Sequence, residues 1–157
     1  KYFRLCPAKE VRLKSAYYIK YASHETDENG NITVVHATYD PESFGGETAD
    51  GRKVKGTLHW VSAENCIDAE VRLYERLFNV PNPSDEEGVS SFADNLNPES
   101  LTVLENCKLD KSLLSVKEGE TFQFMRQGYF CVDKDSTADK LVFNRTVALK
   151  DSFQKKA

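Results

Sequence analysis

The sequence lacks the groupings that usually build a catalytic or metal centre. Its four cysteines, Cys6, Cys66, Cys107 and Cys131, are widely spaced, and no pair is close enough for a zinc knuckle or a redox CxxC. They are expected to be free thiols that behave as small apolar residues. His24, His36 and His59 are scattered, with no second ligand at metal spacing. The glycine-containing stretch "FGGETADG" lacks the Lys-Ser/Thr of a P-loop and does not open a helix. No G-x-S-x-G occurs, and no local context suggests a Ser-His-Asp or Cys-His arrangement. No apolar run approaches membrane-spanning length, and no signal peptide opens the chain. A cationic excess is missing too. The formal net charge of −4 argues against bulk electrostatic capture of nucleic acid or of an anionic membrane.

What is present is enough apolar and aromatic side chain for a core. With 157 residues, 39% hydrophobic and 11% aromatic, the chain fits one domain or two small modules. Its charge is unevenly distributed. Residues 1–20 hold Lys1, Arg4, Lys9, Arg12, Lys14 and Lys20 against Glu10 alone, and "RKVK" (52–55) adds three more cations. The acidic surplus sits elsewhere, notably in Asp85, Glu86, Glu87, Asp94 and Glu99. Lys1 opens the chain inside this patterned basic segment, which suggests a piece of a larger protein.

Period-2 patterning dominates and predicts strands. "EVRLKSAYYIKY" (10–21) alternates around Val11, Leu13, Tyr17 and Ile19, with Arg12 and Lys14 on the other face. Asn29-Gly30 is a strong hairpin signal ahead of a β-branched run. Residues 41–53 read as a long loop rich in glycine and acidic residues. Strand-like runs follow at 54–61, 69–78, 101–106, 121–126, 129–133 and 141–149, and 90–100 could make a short helix ending before Pro98. "NVPNPSDEEG" (79–88) is the clearest boundary. Many short strands with little helix imply an all-β barrel or sandwich pair.

Two stretches carry more polarity than packing requires. A half-buried strand ordinarily has a solvated charged face, which explains much of residues 1–20. Arg4, Arg12 and Lys14 are also interleaved with Tyr2, Phe3, Tyr17 and Tyr18. Single-stranded RNA binding uses that mixture, because aromatics stack on splayed bases while arginine reads base edges or phosphates. The second stretch, "TFQFMRQGYFCVD" (121–133), reads as two strands around a tight turn with Gln123 and Arg126 near its tip. Strict alternation puts residues three apart on opposite faces. For both to touch one base, the turn must carry a bulge or twist that swings Arg126 round.

The elements "KEVRL" (9–13), "TYD" (38–40), "DGRKVKGTLHWVSA" (50–63), "EVRLYERLF" (70–78), "VPNP" (80–83), "NPESL" (97–101), "FQFMRQGYFCVD" (122–133) and "VFNRTVALKD" (142–151) occur in this order. Together they resemble the C-terminal anticodon-binding region of bacterial glutaminyl-tRNA synthetases over nearly the whole chain. The resemblance implies two antiparallel β-barrels of the kind found in a large-subunit ribosomal protein, with few short helices. Residues 1–79 would be the distal barrel. Residues 80–157 would be the later part of a proximal barrel, incomplete here because its early strands lie upstream. The class I catalytic domain, which uses ATP and Mg, would also lie upstream. The fragment itself is therefore expected to be non-catalytic and to need no cofactor.

The resemblance also implies roles and partners. Arg12 matches the arginine that contacts the wobble base, and Arg4 the reader of the third anticodon base. Lys14 stands where the family often has arginine, and its single ammonium suits a phosphate better than a base edge. Lys1 and Phe3 fall where relatives carry other polar or basic contacts. Gln123 and Arg126 match the pair recognising the middle uracil, whose carbonyl acceptors and N–H suit an amide and a guanidinium fork. The partner implied is the anticodon loop and stem of tRNA(Gln), met by a cytoplasmic, monomeric parent enzyme away from membranes. Three other readings stay open. They are the same region of an archaeal/eukaryotic-type glutamate–tRNA ligase, a standalone ribosomal-RNA-binding protein of the same fold, and a β-domain for protein–protein contact.

Overall fold

The computed structural model describes residues 3–48, 50–84 and 91–149. Lys1, Tyr2 and the acidic run Asp85–Glu87 lie outside the described residues. The chain divides into two compact units, Lys1–Trp60 and Val61–Ala157. The sequence placed the division at residue 79, inside the second unit. The reason is a pairing preference: residues 66–74 join strands later in the chain rather than those before them.

The first unit is a four-stranded sheet. Its strands are β1 (Glu10–Leu13), β2 (Tyr18–Thr26), β3 (Ile32–Asp40) and β4 (Thr57–Leu58), in the order β3-β2-β1-β4. The stretch 10–21 is not one strand. It folds back at Ser15, which takes φ +59°, and Val11 then faces Ile19 while Arg12 faces Tyr18. β2 and β3 form the hairpin announced by Asn29-Gly30. Asp27 Oδ1 accepts the N–H groups of Asn29 and Asn31 at 2.9 and 2.8 Å, and Gly30 supplies φ +81°. Backbone bonds to Asp27 and the Asn31 side-chain amide hold this carboxyl below its usual range, the amide contributing most. Only two residues of the expected 54–61 strand pair, and they do so in parallel with β1. Val11, Ala16 and Tyr18 are buried.

The second unit is a five-stranded sheet of order β6-β5-β9-β8-β7. Its strands are β5 (Cys66–Tyr74), β6 (Leu101–Asp110), β7 (Thr121–Phe124), β8 (Gly128–Val132) and β9 (Leu141–Ala148). β5 and β9 pair in parallel, with Val71 beside Phe143. Ala69, Val71, Leu109, Phe130, Val132, Leu141 and Phe143 form the core, and Phe124 stacks on Phe130 with ring centroids 4.4 Å apart. The expected helix in 90–100 is a single 3₁₀ turn, Phe92–Asn95, capped by Ser91.

The all-β expectation holds, with three short 3₁₀ segments among the described residues. The two sheets are consistent with the two-barrel expectation without being closed barrels. Among the described residues neither sheet closes, and each sheet is mixed because it contains one parallel pair. Closure requires the two edge strands of a sheet to meet. In the second sheet the edges are β6 and β7, which do not pair. Among the described residues no helix is long and apolar enough to cross a membrane.

Candidate nucleic-acid interface

In the first unit, β1 extends its parallel ladder beyond its own end. Arg12 N–H donates to the Gly56 carbonyl and Lys14 N–H to the Leu58 carbonyl, each at 2.9 Å. Arg12 lies within β1 and Lys14 in the turn that follows it. Trp60 Nε1 donates to the Lys14 carbonyl at 3.0 Å, fixing the backbone that carries the lysine. Arg12 is held more closely still. Its Nε donates to Thr57 Oγ1 at 3.2 Å, which sets the plane of the guanidinium. Its Cδ and Nη1 lie where a side chain on residue 46 would begin: a Cβ there would be 2.8 Å from both. Glycine at 46, with φ +100°, is what lets the guanidinium rest on the loop.

That loop is pinned from below. Ser43 is fully buried and accepts the Tyr18 N–H at 2.8 Å while its hydroxyl donates to the Asp40 carbonyl at 2.6 Å. Tyr18 OH donates to the Gly46 carbonyl at 2.7 Å. Arg52, counted by sequence among the basic residues of 52–55, is engaged by three carboxylates. It reaches Glu10 at 3.1 Å, Asp40 at 2.6 Å and Asp50 at 2.8 Å, with its Cζ 5.7 Å from the Tyr18 ring centroid. Hydrogen bonding from Arg52 holds the Asp50 carboxyl down at about 2, and the same carboxylates, Asp40 first, push the guanidinium up. Arg52 therefore clamps the loop that seats Arg12. Arg4 lies exposed in the run before β1, and the Phe3 side chain stands 2.7 Å from where a Cβ on Gly56 would be.

In the second unit, Gln123 and Arg126 belong to the β7–β8 hairpin. Gln123 pairs with Tyr129 and Phe124 with Gly128, leaving residues 125–127 as the turn. The Phe124 carbonyl accepts the Gln127 N–H at 2.9 Å, and Arg126 takes φ +68°. At Arg126 the backbone leaves strand geometry for the left-handed region. An arginine there costs about 1–2 kcal/mol relative to glycine. Gln123, Met125 and Arg126 are all exposed. Phe122 and Phe124 face the core, as alternation requires.

Elsewhere on the second unit, buried Glu70 is bridged by Lys140 Nζ at 2.6 Å and by Arg72 Nε at 2.7 Å. These two cations, Lys140 first, hold the Glu70 carboxyl below its usual range. Arg72 also meets Asp135 at 2.9 Å. A cleft of about 380 Å³ beside them is lined by Asp68, Glu70, Glu105, Asp139, Asn106, Ala69 and Lys140. Four carboxylates there repel a phosphodiester chain.

Residues 2–40 and 57–133 each match a family described as tRNA synthetases class I (E and Q), anti-codon binding domain. The chain belongs to this family. It is 54% identical over 156 residues to the glutamine–tRNA ligase of Vibrio parahaemolyticus, covering 99% of this chain and 27% of that protein. The glutamine–tRNA ligase of Proteus mirabilis is 53% identical over 154 residues, with 98% and 27% covered. That of Alteromonas mediterranea is 54% identical over 155 residues, with 99% and 27% covered. This anticodon-binding chain thus spans about a quarter of the length of these class I relatives.

Reading the anticodon-domain sequence alone missed three parts of the site. Thr57 orients Arg12, Gly46 seats it, and Phe44 stands exposed two residues before Gly46 in the same loop. The one sequence signal for this was "SFGG", an aromatic followed by two glycines inside a loop.

Proposed function

We propose that this chain recognises the anticodon loop and stem of tRNA(Gln) as part of a glutamine–tRNA ligase. The observation that carries the reading is the seating of Arg12, whose guanidinium is oriented by Thr57 and rests on Gly46 at an accessible sheet end. A preset guanidinium presents a fixed fork of donors to a base edge without losing rotamer freedom on binding. Arg12 contacts the wobble base, Arg4 the third base, and Lys14 a phosphate. Gln123 and Arg126 read the middle uracil, the exposed amide supplying donor and acceptor and the strained turn presenting the guanidinium.

On this reading residues 1–79 belong to the distal barrel and residues 80–157 to the later part of the proximal one. Aminoacylation, with its ATP and Mg, belongs to a catalytic domain outside these residues, and the parent acts as a cytoplasmic monomer. The relatives are glutamine–tRNA ligases, which favours this over a glutamate ligase. The test is aminoacylation by the parent enzyme carrying Gln123→Ala or Arg126→Ala, against tRNAs with each middle base. The expected result is a kcat/KM loss concentrated on the cognate base, about 5- to 150-fold if ~1–3 kcal/mol of discrimination is removed. An equal loss across all four bases would reduce both residues to backbone positioning.

A further inference from the structure

The first unit displays three aromatic rings that its core does not use. Tyr17 and Tyr39 meet edge to face at 5.1 Å, and Tyr17 and Phe44 lie 5.3 Å apart at 50°. Phe44 is 69% exposed and Tyr39 63%. An apolar ring this exposed gains little from folding, yet the backbone under Phe44 is among the most firmly tied in the unit. Buried Ser43 precedes it, and Gly45 N–H donates to the Ala16 carbonyl at 3.0 Å immediately after it. The ring is thus held out to solvent on a fixed support, which lowers the entropy lost when something lands on it.

Its position indicates what lands there. Phe44 precedes Gly46 by two residues, so its Cα lies within about 7 Å of the loop backbone on which Arg12 rests. By register, Arg12 shares its face of the sheet with Tyr18, and Tyr17 and Tyr39 belong to the other. The 41–46 loop carries both Phe44 and Gly46, so one loop links the aromatic cluster to the seat of the guanidinium. A flat π-face on the loop that seats a guanidinium fits a nucleobase attached to a phosphodiester better than an aliphatic side chain.

We propose that Phe44, braced by Tyr17 and Tyr39, is a stacking platform for one unstacked nucleobase of the RNA bound by this unit. This rests on the preceding reading that the unit binds RNA. Because every base has a π-face, the platform adds affinity without selecting a base.

The test uses the 157-residue chain and a fluorescently labelled RNA anticodon stem–loop, titrated at several salt concentrations. Phe44→Ala is expected to raise Kd about 5- to 100-fold, by the same factor whichever bases occupy the loop, while Phe44→Trp retains binding. The slope of log K against log salt should stay that of the parent for Phe44→Ala and become shallower for Arg12→Ala, because only the latter removes a cation. An unchanged midpoint of thermal unfolding in Phe44→Ala separates a lost contact from a lost fold. A Kd within about twofold of the parent, with Arg12→Ala still weakened, overturns the platform and leaves RNA recognition standing. Phe44→Ala converting a dimer into a monomer at unchanged RNA affinity overturns it in favour of self-association. No binding by the parent chain overturns both readings.

Discussion

Gly128 approaches Val147 so closely that a Cβ at residue 128 would stand 2.6 Å from the Val147 carbonyl oxygen. The glycine opens β8 after the turn holding Arg126, and it is buried at φ +149°. Backbone atoms cannot yield as a side chain can. Gly128→Ala should therefore destabilise the second unit by about 1–3 kcal/mol from overpacking, with conformational strain in addition. Gly30→Ala is the control: nothing lies within 4 Å of its added methyl, so only left-handed strain of about 1–2 kcal/mol applies. Urea denaturation of both variants measures the difference, and equal losses would refute the steric account.

Ser43→Ala should remove the side-chain acceptor of the Tyr18 N–H and loosen the 41–46 loop. A buried donor left unpaired costs about 1–3 kcal/mol. Amide hydrogen exchange at Tyr18 should quicken sharply, while amides of the second unit keep their protection. Unchanged exchange at Tyr18 would mean the loop is held by other bonds.

Gly46→Ala should displace the Arg12 guanidinium, since Cδ and Nη1 are the atoms its methyl would meet. RNA affinity should fall as in Arg12→Ala, and combining the two substitutions should add little. The clash disappears when Arg12 is truncated, so the pair should show a favourable coupling of about 0.5–3 kcal/mol in a double-mutant cycle on stability. Additive losses would place the two residues in separate environments.

Acid should weaken both units between about pH 4 and pH 2. Asp50 is held down at about 2 by Arg52, and Asp135 at about 2 by Lys134 and then Arg72. A carboxyl with a folded pKa below its unfolded value stabilises above the unfolded value and loses that contribution as pH falls through the folded one. Thermal midpoints measured across this range should drop toward pH 2. Arg52→Gln should flatten the part of the acid limb that Asp50 contributes. An identical acid limb in that variant would show that Arg52 does not set the titration.

Much of this was legible beforehand, and the failures have physical causes. The hairpin at Asn29-Gly30 and the core face of Phe122 and Phe124 follow from turn chemistry and alternation. The fold-back at Ser15 was hidden because Val11 opposes Ile19. Odd residues oppose odd residues, so the period-2 pattern runs unbroken through the turn. Parallel partners were invisible because nothing local in 66–74 announces a strand at 141–148. Arg52 counted only as one of three cations in 52–55 because two of its carboxylates, Glu10 and Asp40, lie 42 and 12 positions away. Arg12 was legible as a candidate, but its seat was not, since Thr57 is 45 positions away.

The pairing of β5 with β9 also governs the order in which the chain can become protein. The first sheet is complete once Leu58 has been made, because β4 is its last strand. The second sheet must wait. β5 carries Val71, but its neighbour Phe143 is added only when synthesis reaches β9. Until then β5 has only its antiparallel neighbour β6, and the ladder on its other side stays open. A sheet edge left open until residue 141 is made is a template for wrong strand pairing.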